Sequence, residues 1–193
     1  MTRIGEGIGI SVFCGSSVGV RGEYAAAAQT VGRMLGERGH TLVYGGGSLG
    51  LMGVIADAAL EAGGEVIGVI PGFLTGRELA HERCTELIVV DSMHERKAAM
   101  AERSKAVLVL PGGVGTLDEL FESITWNQIG IQNKPIGVLN VCGYFQLLDD
   151  LLDAAEFEGF VPANTRERMI FDDDPARLLD ALASEGAMER PAS

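Results

Sequence analysis

The sequence predicts a doubly wound, Rossmann-like α/β fold: a parallel sheet with helices on both faces. Three observations carry this expectation. Short apolar runs alternate with segments of helical spacing. Glycine-rich turns stand at the ends of the runs, and the 27 glycines exceed the usual share of about 7% while clustering there. Small apolar residues dominate and aromatics make up only 6%, which suits helices packed closely on a parallel sheet. At 193 residues one domain is expected, spanning 1–193 with its core at about 8–171.

In chain order, the first apolar run covers residues 8–13 and ends in Cys14-Gly15-Ser16-Ser17. Helical spacing follows over 23–38. The run at 41–44 feeds Gly45-Gly46-Gly47-Ser48-Leu49-Gly50, and a helix is expected over 51–62. Strands are then expected at 66–70 and 87–90, the second leading into a helix over 93–103. The run at 106–110 precedes a further helix at 117–128; a strand at 136–140 and a helix at 145–157 complete the pattern. Such alternation implies right-handed crossovers, with ligands at the carboxyl ends of the strands. Residues 185–193 are expected to fray. No linker, repeat or low-complexity segment interrupts the chain.

The formal net charge is −12, from 15 basic and 27 acidic residues. That sign repels nucleic-acid backbones, so no nucleic-acid partner is expected, although amides can still capture a small phosphate locally. Asp172-Asp173-Asp174 reads as a solvated acidic run. No run of about 18 apolar residues occurs, so no membrane span is expected. Residues 1–6 lack the basic start and apolar core of a signal peptide, which makes the cytoplasm the expected compartment. Cys14, Cys84 and Cys142 are too scattered for a disulfide framework. Cys14 and Cys142 read as buried free thiols at strand ends. No Cys/His or His/Glu cluster has zinc spacing, and neither a metal nor a cofactor is implied.

Chemistry concentrates in Pro111-Gly112-Gly113-Val114-Gly115-Thr116-Leu117-Asp118-Glu119. The glycines let the backbone turn sharply and approach a ligand closely. Amides that open a helix have no internal partner and sit at the positive end of its dipole, so they suit a phosphate. Glu119 follows about one turn later, within reach of whatever that phosphate carries. A plain strand-to-helix turn with a solvated acid would use the same residues. The turns at 14–17 and 45–50 lack both the G-x-G-x-x-G spacing of dinucleotide sites and the Gly-Lys-Ser/Thr ending of a P-loop. A mononucleotide fits better.

Together with Ser92-Met93-His94-Glu95-Arg96-Lys97 and the glycine turn after Val43-Tyr44, this stretch resembles the Lonely Guy (LOG) family. These are the cytokinin riboside 5′-monophosphate phosphoribohydrolases, long mislabelled as lysine decarboxylases. The resemblance runs from about residue 8 to 171 and keeps the family's Pro-Gly-Gly-x-Gly-Thr-x-x-Glu signature intact. It includes Trp126-Asn127-Gln128, Asn133-Lys134-Pro135 and Glu158-Gly159-Phe160. It implies hydrolysis of the N-glycosidic bond of N6-substituted adenosine 5′-monophosphates, with AMP as a further candidate, and a homodimer. Arg96 matches the family's catalytic arginine, Glu119 its catalytic glutamate and Lys97 its nucleotide-contacting lysine. Glu82 matches a loop bordering the base pocket.

Gly112, Gly113, Val114, Gly115 and Thr116 are the candidates to hold the 5′-phosphate. Ser16, Gly46 and Ser48 face the same sheet edge and are candidates to complete the cradle; helix capping is as good a role for Ser16 and Ser17. Arg96 and Lys97 also fit a solvated helix face, and His94 and Asp118 read as structural or solvated. None of Lys97, Lys105 and Lys134 is marked as a Schiff-base nucleophile. Two rival readings use the same residues: a non-catalytic nucleotide or molybdenum-cofactor carrier, and a broader nucleoside 5′-monophosphate nucleosidase. Leu120, Phe121, Ile124 and Trp126 give the helix at 117–128 apolar surface for either the parent sheet or a second protomer.

Overall fold

The computed structural model describes residues 7–76 and 79–188. One sheet of seven parallel strands runs through it: β1 (Gly9–Phe13), β2 (Thr41–Tyr44), β3 (Val66–Pro71), β4 (Glu86–Val90), β5 (Ala106–Val109), β6 (Ile136–Leu139) and β7 (Met169–Asp172). Their order is β4-β3-β2-β1-β5-β6-β7. The chain winds outward from β1 in one direction, returns, and continues from β5 in the other. The order therefore reverses between β1 and β5, where such sheets open a crevice.

Side-chain alternation divides the core between the two faces. Ile10, Val12, Leu42, Tyr44 and Leu108 point to one face, under α1 (Gly22–Glu37), α2 (Gly50–Glu61) and α7 (Pro175–Ala187). Phe13, Val43, Val107, Val109 and Val138 point to the other. That face is covered by α3 (Met93–Glu102), α4 (Val114–Gln128) and α5 (Gln146–Phe157). The small residues are used where α1 crosses α2: a Cβ on Gly32 would lie 2.3 Å from the Ile55 carbonyl oxygen. Trp126-Asn127-Gln128 and Asn133-Lys134-Pro135 meet in a reciprocal pair. Asn127 Nδ2 donates to the Lys134 carbonyl at 2.7 Å, and the Lys134 amide donates to Asn127 Oδ1 at 3.1 Å. The end of α4 is thereby fixed to the start of β6.

All six expected strands and five expected helices form, with ends shifted by up to three residues. The sequence reading missed β7, the short α6 (Ala163–Arg166) and α7. The acidic run is not simply solvated. Asp174 caps α7 by accepting from the Ala176 and Arg177 amides, with Pro175 in the first turn, and Asp172 pairs with Arg177 at 2.6 Å. Leu178, Leu179 and Leu182 are at most 1% exposed, so the core extends past residue 171. Residues 185–187 continue α7 rather than fray; 189–193, like 1–6, lie outside the described residues. Cys14 is buried as expected, but Cys142 is exposed, on a left-handed turn residue with φ of 54°. No helix among the described residues is long and apolar enough to cross a membrane.

Candidate active site

The crevice at the reversal point is a cleft of about 280 Å³. One side is the start of α4, from Gly113 to Thr116, with Glu119 one turn on. Cys14 and Ser16 reach it from the end of β1, Met93 and Arg96 from α3, Met52 from α2, and Leu74 from the loop after β3. Hydrogen bonds tie the rim together. The Gly15 amide donates to the Pro111 carbonyl at 3.0 Å, and the Leu51 amide donates to the Gly15 carbonyl at 3.0 Å.

α4 begins without a side-chain cap. Its N-cap is Gly113, and the first helical bond runs from the Leu117 amide to the Gly113 carbonyl at 3.1 Å. The Val114, Gly115 and Thr116 amides precede that bond at the positive end of the helix dipole, and these three residues line the cleft. The glycines here do two things. A Cβ on Gly112 would stand 2.1 Å from Thr116 Oγ1, so glycine is needed for the turn to close, and Tyr144 Oη fixes that turn by donating to the Gly112 carbonyl at 2.6 Å. A Cβ on Gly113 or Gly115 would meet nothing within 4 Å. Those two glycines leave open space beside helix-opening amides, the arrangement an anion needs.

Arg96 is only 5% exposed. Its Nε donates to the Val69 carbonyl at 3.1 Å and its Nη2 to the Gly45 carbonyl at 2.7 Å, so the carboxyl ends of β2 and β3 fix the plane of the guanidinium. Glu119 is half-buried on the same cleft. Burial, and after it the charge of Glu119, pushes the Cys14 thiol well above its ordinary range, so Cys14 stays a neutral part of the floor. Met52, Leu74 and Met93 add apolar surface suited to a flat ring. The sequence reading did not single out these three, because isolated apolar residues from three separate segments form no pattern of their own.

Other expected site residues stand elsewhere. Ser16 lines the cleft; α1 starts at Gly22 without a side-chain cap, so neither Ser16 nor Ser17 caps it. Gly46 has φ of +74° and packs against Val69, Ile70 and Leu87 beneath the sheet edge. Ser48 Oγ donates to the Leu79 carbonyl at 2.6 Å, fastening the 45–50 turn to the loop after β3. Glu82 is exposed, outside the described lining of the cleft. Lys97 is not among the lining residues; it pairs on α4 with Asp118, which does line the cleft, at 2.7 Å and with Glu122 at 3.2 Å. His94 is exposed. Among the described residues no group of three or more His, Cys, Asp or Glu side chains could hold a metal.

A family model described as "Possible lysine decarboxylase" matches residues 52–182. The chain is 50% identical over 173 residues to "Probable cytokinin riboside 5'-monophosphate phosphoribohydrolase LOGL9" of Oryza sativa subsp. japonica, covering 90% of this chain and 76% of that protein. It is 51% identical over 161 residues to "Cytokinin riboside 5'-monophosphate phosphoribohydrolase LOG4" of Arabidopsis thaliana, covering 83% and 75%. Among solved structures, the molybdenum cofactor carrier protein of Chlamydomonas reinhardtii superposes with a TM-score of 0.73 at 22% identity, covering 95% of this chain and 100% of that one. The molybdenum cofactor binding protein of Rippkaea orientalis gives 0.69 at 23%, covering 93% and 98%. At these identities the two structures share the fold alone.

Proposed function

The chain belongs to the LOG family of cytokinin riboside 5′-monophosphate phosphoribohydrolases, and from that premise we propose how its cleft performs the reaction. The enzyme hydrolyses the N-glycosidic bond of an N6-substituted adenosine 5′-monophosphate, giving the free base and ribose 5-phosphate. The observation that carries this reading is the meeting of Arg96, Glu119 and the amides of Val114 to Thr116 in one cleft. An anion site next to a carboxylate and a buried cation is more than nucleotide storage requires.

In this reading the α4 amides and Thr116 hold the 5′-phosphate, and Ser16 borders the same space. The apolar surface of Met52, Leu74 and Met93 receives the base. As the C1′–N9 bond breaks, positive charge grows on the ribose; Glu119 stabilises it or bonds to C1′ as a nucleophile. Water supplies the hydroxyl that ends on C1′, and the base leaves with a proton. An arginine is a poor proton donor at neutral pH, so the fixed guanidinium of Arg96 acts electrostatically on the leaving base or orients the sugar. Phe121, 41% exposed, and Ile129 and Ile131, both more than 60% exposed, support pairing of two protomers along this side of α4. Leu120 and Ile124 are taken up by the parent sheet. We place the enzyme in the cytoplasm.

The test is release of base from isopentenyl-AMP, AMP and isopentenyladenosine under identical conditions. Rapid release from the first and little from the nucleoside is the expected result. Equal cleavage of nucleoside and monophosphate, or binding of both nucleotides without release, removes this reading. Sedimentation showing only a monomer at micromolar concentration would remove the dimer.

A further inference from the structure

Lys97 follows Arg96 directly, yet it does not line the cleft; its ion-pair partner Asp118 does. Its side chain is 12% exposed and rests between α3 and α4, with Nζ 2.7 Å from Asp118 Oδ2 and 3.2 Å from Glu122 Oε2. Asp118 in turn immediately precedes Glu119. The ion-paired trio therefore joins the two helices one residue away from each proposed reactive side chain. α3 follows β4 and α4 follows β5, and three strands of the sheet stand between those two. The Lys97 ion pairs add a direct link between the two helices.

We propose that Lys97 is a positioning residue and not a nucleotide contact: by clamping α3 to α4 it fixes Arg96 relative to Glu119. This rests on the reading of those two residues given above. Two further features fit it. Burial opposes the charge on Lys97, but Asp118 and Glu122 more than offset that and hold the ammonium above the usual lysine range, so the clamp stays ionised at neutral pH. The clamp also balances two of the acids near the opening of α4. A phosphate on the Val114 to Thr116 amides then faces Glu119 without the unopposed charge of Asp118 and Glu122.

A positioning residue and a ligand contact predict different kinetics. Lys97→Met should lower kcat on isopentenyl-AMP by about 10–100-fold, the scale on which misplacement of reacting groups acts. KM and the Kd for AMP should stay within about threefold of the parent protein. Glu122→Gln, which leaves the lysine in place, should lower kcat in the same direction by a smaller factor. The double variant should be no worse than Lys97→Met alone, because Lys97→Met already removes the pair that Glu122→Gln breaks. Lys97→Arg should restore part of the lost turnover. If Lys97→Met weakens AMP binding more than tenfold, Lys97 is a nucleotide contact and the proposal falls. It falls equally if Glu122→Gln has no effect, or if the two substitutions act additively. Should Lys97→Met not fold, Glu122→Gln, whose side chain does not line the cleft, carries the test: a fall in kcat at unchanged AMP affinity supports the clamp, and an unchanged kcat overturns it. Should the parent protein release no base at all, the hydrolase reading fails, while AMP affinity still separates clamp from contact.

Discussion

Two glycine-rich turns follow parallel strands at the same edge of this sheet, and they do opposite things. After β5, Gly113 and Gly115 leave open space beside helix-opening amides, and the turn lines the cleft. After β2, the glycines are spent on packing. A Cβ on Gly45 would stand 2.0 Å from Arg96 Nη2, and Gly46 takes a left-handed conformation against Val69 and Ile70. One turn leaves its backbone open to the cleft; the other makes room for a side chain that lines the cleft. Glycine content alone does not distinguish these cases. What decides is whether the missing Cβ points at solvent or at protein.

The comparison can be broken by substitution, and the largest effect is expected next to the open turn. Glu119→Gln keeps size and helix while removing the charge, and kcat should fall by about 10²–10³-fold. AMP affinity, read by calorimetry, should change little because the amides are untouched. Near-normal turnover would take Glu119 out of the mechanism. Gly45→Ala comes next. The new methyl group collides with the Arg96 guanidinium, so turnover should drop by about 10–100-fold and stability by about 1–3 kcal/mol in chemical denaturation. Unchanged Tm and turnover would show that the packing role is misassigned.

Gly113→Ala should behave in the reverse sense. Its φ of −90° accepts alanine, so Tm should hold, while the methyl group enters the anion space and weakens AMP binding by about tenfold. Gly46→Ala should cost about 1–2 kcal/mol of stability through its positive φ and leave AMP affinity near that of the parent. If Gly46→Ala weakens AMP binding as much as Gly113→Ala, the two turns are not different in kind. The smallest effect is a control remote from both. Burial, followed by the charge of Arg38, lowers the pKa of His40 below its ordinary 6.5, and His40 Nδ1 accepts from the Ile8 amide at 3.2 Å. The fold favours the neutral ring, so its stabilisation is complete above pH 6.5 and is lost as pH falls through the lowered folded value. A His40→Gln protein should show a flatter Tm profile across that acid window.

Legibility followed the same division. Strands buried on both faces read as apolar runs, so β1, β2, β5 and β6 were plain in the sequence. β7 is an edge strand of half-buried residues with an acid at its end, and α7 lies behind Asp172-Asp173-Asp174, which looked like solvent. A signal was present there in the Asp174-Pro175 start and the spacing of Leu178, Leu179 and Leu182. In the cleft, Arg96, Glu119 and the 113–116 turn, which the structure brings together, had motifs that singled them out. Met52, Leu74 and Met93 had none, since each comes from a different element and carries no pattern of its own.

By itself the sequence determined the doubly wound sheet, because alternating strand and helix periods leave few other ways to bury both faces. It also determined the glycine turn that opens α4, where one contiguous stretch supplies strand end, glycines and helix start. Tertiary structure alone decided which face each charged side chain took. Lys97 and Arg96 are neighbours in sequence but point to different partners, one to α4 and the other to the carbonyls ending β2 and β3. Adjacent helical residues diverge by about 100° around the axis. Which of the two reaches the cleft depends on what packs against the helix, and those partners come from strands and helices 21 to 51 residues away along the chain.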